Sequence, residues 1–481
     1  MESNDGHEST SPLEMSPEEM RQLGYRVIEM IIEHFEQLRD KPVTRVADRR
    51  QLERRLREPI PENRTAISTL LDQLEHDVFD NIMHMDHPRF FAYVPGPTNF
   101  VSVMADALAT GFNVFSGSWL EGSGAAMIEL VTIDWLRQSC GLPETAGGLF
   151  VSGGSIANLS ALAVAREVNL EQHSDRAVVY FSDQAHSSVK RAAKTLGFNA
   201  PQLRMLPSDE HFRLALVDLQ RQVAEDRQAG MKPFCVVANA GTTNTGAVDP
   251  IAELAAFCKQ QGLWLHADAA YGGGAILCEE GRSRLRGLER VDSLAIDPHK
   301  WLFQPYEMGC LLVRDRDWLA KTFKVISDYG KDEELGEEEV NFCDLGIQLT
   351  RRFRALKLWL SLKTFGLKAF REAVVRGLSL ARTAETLLAK SAKCEVTTSA
   401  QLGVLTFRYV GAGDPSLSKL DEVNRRIVGK CIEEGFAMVS TTELKGKVVL
   451  RLCLINPQTT ERDIEETIGM IVRFGDQVIH G

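Results

Sequence analysis

Apolar and polar positions change their rhythm along the chain. Leu23, Val27, Met30, Ile31, Phe35 and Leu38 recur at spacings of four, three, one, four and three, which places them on one face of a helix. Ser16-Pro17-Glu18-Glu19 supplies an N-cap, a proline for the first helical position and acidic first-turn residues, so the helix is predicted to start at residue 17. Further helices are predicted around 48–58 and 70–82. So short a segment offers its apolar stripe no partner, and the stripe is expected to pack on another subunit or on the main domain. From about 86 to 375 the rhythm shortens. β-rich runs at 148–152, 177–182, 234–239, 263–268, 293–296 and 309–313 alternate with helical stretches at 156–168, 216–228 and 251–261. Such alternation predicts a mostly parallel sheet with right-handed crossovers. After Arg351 a long helix is expected to reach Leu388, and the last ninety or so residues read as a small α+β domain. The division predicted is a disordered tail at 1–16, a helical segment at 17–85, a large α/β domain at 86–375 and a small domain at 376–481.

Composition narrows the function classes. The 481 residues carry 55 basic and 66 acidic side chains, a formal charge of −11, which argues against nucleic acid as a partner. No uncharged apolar run reaches the ~18 residues of a membrane span. The first sixteen residues are polar and acidic, unlike a secretory signal, so the cytoplasm is the expected address. Nine cysteines without a CxxC pair read as reduced core thiols rather than a disulfide framework or a zinc site. The acidic stretch 325–345 reads as solvent-facing surface or a lid.

In parallel sheets ligands sit beyond the carboxyl ends of the strands, and there the polar residues line up. Ser152-Gly153-Gly154-Ser155 opens a helix after the first run, a phosphate cradle or an ordinary tight turn. Asp183 to Ser188, with His186, follows the second run, and Ala240-Gly241-Thr242-Thr243 follows the third. The fourth ends in His266-Ala267-Asp268, a carboxylate whose burial demands a cation or several donors. His266 and Asp268 would be two weak metal ligands without a third, and no metal is expected. The fifth leads to Asp297-Pro298-His299-Lys300-Trp301, an apolar setting in which Lys300 is expected to have a depressed pKa and act as a nucleophile toward a carbonyl. A phosphate cradle, a carboxylate, a flat histidine and an amine for an aldehyde together match pyridoxal 5′-phosphate.

These strings closely resemble the group II PLP-dependent amino acid decarboxylases, nearest to the aromatic-L-amino-acid decarboxylase branch. The 87–93 string from His87 to Tyr93, Pro207-Ser208-Asp209 and the 351–357 string from Arg351 to Lys357 share the likeness, which runs from about residue 17 to 460. The resemblance implies PLP fold type I, the aspartate aminotransferase-like architecture, and a homodimer with interface active sites across which the 17–85 segment packs. It implies Lys300 as the Schiff-base lysine, Asp268 as partner of the pyridine nitrogen and His186 as the residue stacked on the ring. Gly154 and Ser155 match phosphate contacts, and Thr243 and His299 match residues beside the cofactor. Asp297 stands where Asn is common, and as an anion it is expected to accept backbone donors. Tyr329 matches the tyrosine that protonates the substrate carbon, which favours decarboxylation over aldehyde formation. Tyr93, Pro95, Gly117 and Thr350 match substrate-lining positions; Gly117, where a family member carries Phe, is expected to widen the pocket. Tryptophan, tyrosine, phenylalanine and dopa remain open as substrates, with histidine, an aldehyde synthase and a catalytically silent binding protein as alternatives.

Overall fold

The structure is a computed structural model describing residues 13–170, 174–325, 338–411 and 416–480. Most of the expected tail, and residues 326–337 of the acidic stretch, lie outside them. The first helix, Pro17–Gln37, begins where its cap signals place it. The Ser16 hydroxyl accepts from the Glu19 N–H and the Glu19 carboxylate accepts from the Ser16 N–H, a box worth about 1 kcal/mol. Its apolar stripe is only partly covered: no residue of the helix is fully buried, and Met20 and Tyr25 are exposed. The helix and the turn after it are tied down by His34–Asp86, by Arg39–Asp463 and by an edge contact between Phe35 and Phe100.

Seven strands form the large sheet: β1 (Gly147–Val151), β2 (Ala177–Ser182), β3 (Leu203–Leu206), β4 (Lys232–Asn239), β5 (Trp264–Asp268), β6 (Ser293–Ile296) and β7 (Gly309–Val313). Their order is β1-β7-β6-β5-β4-β2-β3, and β7 alone runs antiparallel to its neighbours. Helices on both faces bury β2, β5, β6 and β7 completely, which is why these strands read as unbroken apolar runs. The carboxyl ends of β1, β2, β4, β5 and β6 consequently open on one edge.

A second, antiparallel sheet holds β8 (Cys394–Gln401), β9 (Val404–Tyr409), β10 (Ser440–Leu444) and β11 (Lys447–Cys453) in the order β10-β11-β9-β8. Helices Leu417–Glu434 and Glu461–His480 belong to this smaller unit. Lys445 and Gly446, at φ 49° and 74°, make the left-handed two-residue turn that joins β10 to β11. The long helix Ala355–Lys390, interrupted at Gly366, serves both cores. Val374 and Leu378 pack in the large one, whereas Leu380, Ala381, Ala384 and Leu388 pack in the small one. The expected boundary at residue 376 thus falls inside a helix shared by the two units.

Candidate active site

The five strand ends converge on a cavity of about 340 Å³, within the size range of small-molecule sites (~300–1,000 Å³). Gly154, Ser155, His186, Thr243, Asp268, Asp297, His299 and Lys300 all line it. Gly153 and Gly154 are demanded by close approach. A Cβ on Gly154 would stand 2.8 Å from Asp297 Oδ2 and 3.0 Å from Ala270 Cβ, and one on Gly153 would stand 3.1 Å from His299 Cε1. The helix Gly154–Asn169 starts here with no side-chain cap, which leaves its positive end to an anion.

Asp268 closes β5 and receives two donors rather than a cation: Asn158 Nδ2 at 2.9 Å on Oδ2 and the Ala270 N–H at 3.1 Å on Oδ1. Asn158 also donates to Ser188 Oγ at 2.9 Å, and its own Oδ1 lies 2.9 Å from His266 Nε2. The other nitrogen of His266 is bonded to Ser293 Oγ at 2.9 Å, so both ring nitrogens are occupied within the protein. His186 Nδ1 lies 2.8 Å from Ser188 Oγ. Burial lowers the His186 pKa, and the nearby Lys300 charge adds to this against the pull of Asp268. The ring therefore enters the cavity neutral at pH 7.

Two expectations are corrected at β6. Burial works to depress the pKa of Lys300, but the Asp297 carboxylate, 2.9 Å from Nζ, outweighs it with help from Asp268, and the pKa lies above the ordinary lysine value. Lys300 waits as an ammonium held in place, not as a free amine. Asp297, in turn, takes no backbone donors among the described residues: its Oδ2 pairs with Lys300 and its buried Oδ1 has no hydrogen-bond partner there. His299 accepts from the Met308 N–H at Nδ1, 3.1 Å away, and burial lowers its pKa.

The remaining predicted residues lie elsewhere. Tyr93 and Pro95 do not line the cavity, although Arg451 ties the Tyr93 carbonyl to that of Thr243. Gly117 and Thr350 share a separate neighbourhood, the Leu349 carbonyl oxygen being 2.9 Å from where a Gly117 Cβ would sit. The wider pocket expected at Gly117 is also corrected. Phe115 Cε1 and Cζ lie 2.4 Å from that Cβ position, so a phenylalanine two residues earlier fills the space. Tyr329 lies outside the described residues. Sequence reasoning did not assign Asn158, Ser188 or Glu307, which also line the cavity. Asn158 follows Gly154 by four residues, one helical turn, and that spacing was its available signal; Glu307, beyond any strand end, carried none.

The site fits pyridoxal 5′-phosphate. An uncapped helix start between glycines would suit its phosphate, Lys300 its aldehyde and Asp268 its ring nitrogen, while the Asp297 Oδ1, buried without a partner among the described residues, leaves capacity for a ligand. A sequence model of the pyridoxal-dependent decarboxylase conserved domain matches residues 50–410. The chain belongs to the pyridoxal-dependent decarboxylases. Among relatives of this decarboxylase, an aromatic-L-amino-acid decarboxylase of Bacillus atrophaeus is 51% identical over 467 residues, 97% of either chain. A phenylacetaldehyde synthase of Arabidopsis thaliana is 30% identical over 479 residues, covering 97% of this chain and 98% of its own. The solved structure of Oryza sativa TDC with PLP and tryptamine matches with a TM-score of 0.92 at 27% identity, over 98% of this chain and all of that one. The fold is that of the fold type I PLP enzymes, and the cofactor of this decarboxylase is pyridoxal 5′-phosphate.

Proposed function

We propose that this decarboxylase converts an aromatic L-amino acid to its amine and CO2, working as a homodimer in the cytoplasm. The observation that carries the reading is a single cavity with the Lys300 ammonium and the Asp268 carboxylate at the ends of adjacent strands β6 and β5. The 51% identity to an aromatic-L-amino-acid decarboxylase supports the aromatic substrate. Pyridoxal 5′-phosphate, when bound, supplies an aldehyde that condenses with amines and a ring that takes up the electron pair left as CO2 departs. Lys300 would hold it through Nζ, and Asp268, oriented by Asn158 and Ala270, would keep the ring nitrogen protonated. His186 would offer a neutral flat face, Gly154 and Ser155 would hold phosphate, and Thr243 and His299 would flank the ring. Tyr329 is the proposed proton donor to the substrate carbon, a role that rests on the resemblance.

The homodimer accounts for what one chain leaves uncovered. Tyr25, Ile60, Phe112, Leu120 and Leu349 are all exposed large apolar side chains, and the Gly117–Thr350 neighbourhood would then complete the partner's site. The cytoplasm accords with nine cysteines of which seven are buried, and no helix among the described residues is long and apolar enough to cross a membrane. The deciding experiment incubates the holoenzyme with a panel of L-amino acids and identifies the product. An aromatic amine with equimolar CO2 is expected; ammonia and peroxide would establish the aldehyde-forming alternative instead. Lys300→Ala should lose both turnover and the borohydride-sensitive visible band of the bound cofactor, and a variant retaining either would remove Lys300 from this role.

A further inference from the structure

Away from the cavity, three potential metal ligands meet where the first helix touches the body of the protein. His34 belongs to the helix Pro17–Gln37, and Asp86 lies 52 residues further along, two residues after His84. One donor atom from each lies within 4.8 Å of the others. His34 Nε2 is 2.8 Å from Asp86 Oδ2, and the His34 and His84 rings lie with centroids 5.4 Å apart, tilted by 37°. His84 is only 6% exposed, yet its Nδ1 finds no hydrogen-bond partner among the described residues. A buried polar nitrogen left in that condition is costly and calls for an explanation. Nothing in the decarboxylation chemistry uses these three residues.

We propose that His34, His84 and Asp86 bind a divalent transition metal of the zinc class, which clasps the first helix to the rest of the chain. Two imidazoles and a carboxylate suit Zn²⁺, with water in the fourth position. Tetrahedral ligands with bonds of about 2.0–2.1 Å stand roughly 3.3 Å apart, so the set must close by at most about 1.5 Å. His34 can supply most of that movement, because its side chain is partly exposed and the helix carrying it buries no residue fully. The clasp matters because the helix is otherwise held by few ties. It also adjoins the cavity wall. The Met85 carbonyl accepts the Gly96 N–H, the Tyr306 hydroxyl donates to Met85 Sδ, and the Tyr306 ring packs 5.0 Å from that of His299.

Cobalt(II) titrated at micromolar concentration into the tag-free holoenzyme tests the site, since tetrahedral Co²⁺ has visible absorption that zinc abolishes on displacement. One Co²⁺ per chain is expected, with a higher melting temperature for the zinc-loaded protein and an affinity at least ~100-fold weaker in His34→Ala and in Asp86→Asn. Neither residue lies in the catalytic cavity, so the cofactor's visible band and the metal-free decarboxylation rate of both variants should match those of the parent enzyme. Absence of stoichiometric binding by the parent enzyme overturns the proposal. So does unchanged affinity in the two variants, which would put the metal elsewhere.

Discussion

Two ion pairs lie close to the active-site region, and they are built to opposite specifications. Arg351 and Glu129, 1% and 0% exposed, meet at 2.6 Å. Arg351 also donates to the Ser116 and Phe150 carbonyls, Glu129 accepts the Phe150 N–H, and the guanidinium lies over the Phe342 ring. Every charge there is answered from within the chain, and the pair pins the start of the large sheet. Lys300 and Asp297 meet at 2.9 Å in the cavity, and there the buried Oδ1 is left unanswered among the described residues. A saturated pair makes architecture, whereas a pair with spare capacity marks where a ligand belongs.

That contrast can be broken in four ways. Asp268→Ala should still tether the cofactor but lower turnover by about 10²–10³, as expected for loss of a preorganised charge; a near-normal rate would show that Asp268 is not the nitrogen partner. Glu129→Gln leaves Arg351 charged and buried, and should destabilise the fold by roughly 3–5 kcal/mol. Urea unfolding would register this, with the cofactor band intact in the fraction that folds. Asp297→Asn removes the anion that raises the Lys300 pKa, so the pKa should fall. Below its pKa the lysine is protonated and cannot condense with an aldehyde. Reconstitution of the cofactor-free enzyme, which should accelerate as pH rises through that value, should therefore do so at lower pH in the variant. Phe115→Ala opens the space above Gly117 and should change the rate ratio between indole and phenol substrates by roughly 10-fold. An unchanged ratio would place that neighbourhood outside substrate recognition.

Much of this frame is legible in the chain because burial on both faces leaves a simple signature. The strands Ala177–Ser182, Ser293–Ile296 and Gly309–Val313 occur at the residues expected, each wholly buried. β3 escaped notice because it is short and lies at the sheet edge, where Arg204 breaks the apolar run. Residues at strand ends, such as Asp268 and Lys300, are found by position alone. Their charge states are not, because the Lys300 pKa depends on the distance to Asp297. The space at Gly117 was misjudged for the same kind of reason: a missing side chain says nothing about which neighbour fills the gap. His34 and Asp86, 52 positions apart, meet only in three dimensions.

The helix Ala355–Lys390 has a mechanical consequence. Its second half is embedded in the large core at Val374 and Leu378 and in the small core from Leu380 onward, with no irregular backbone between. A rod gripped at both ends transmits rotation instead of absorbing it, so the C-terminal unit has no hinge there about which to swing as a free flap. Backbone amides near Leu378 should then be among the slowest in the molecule to exchange with deuterium.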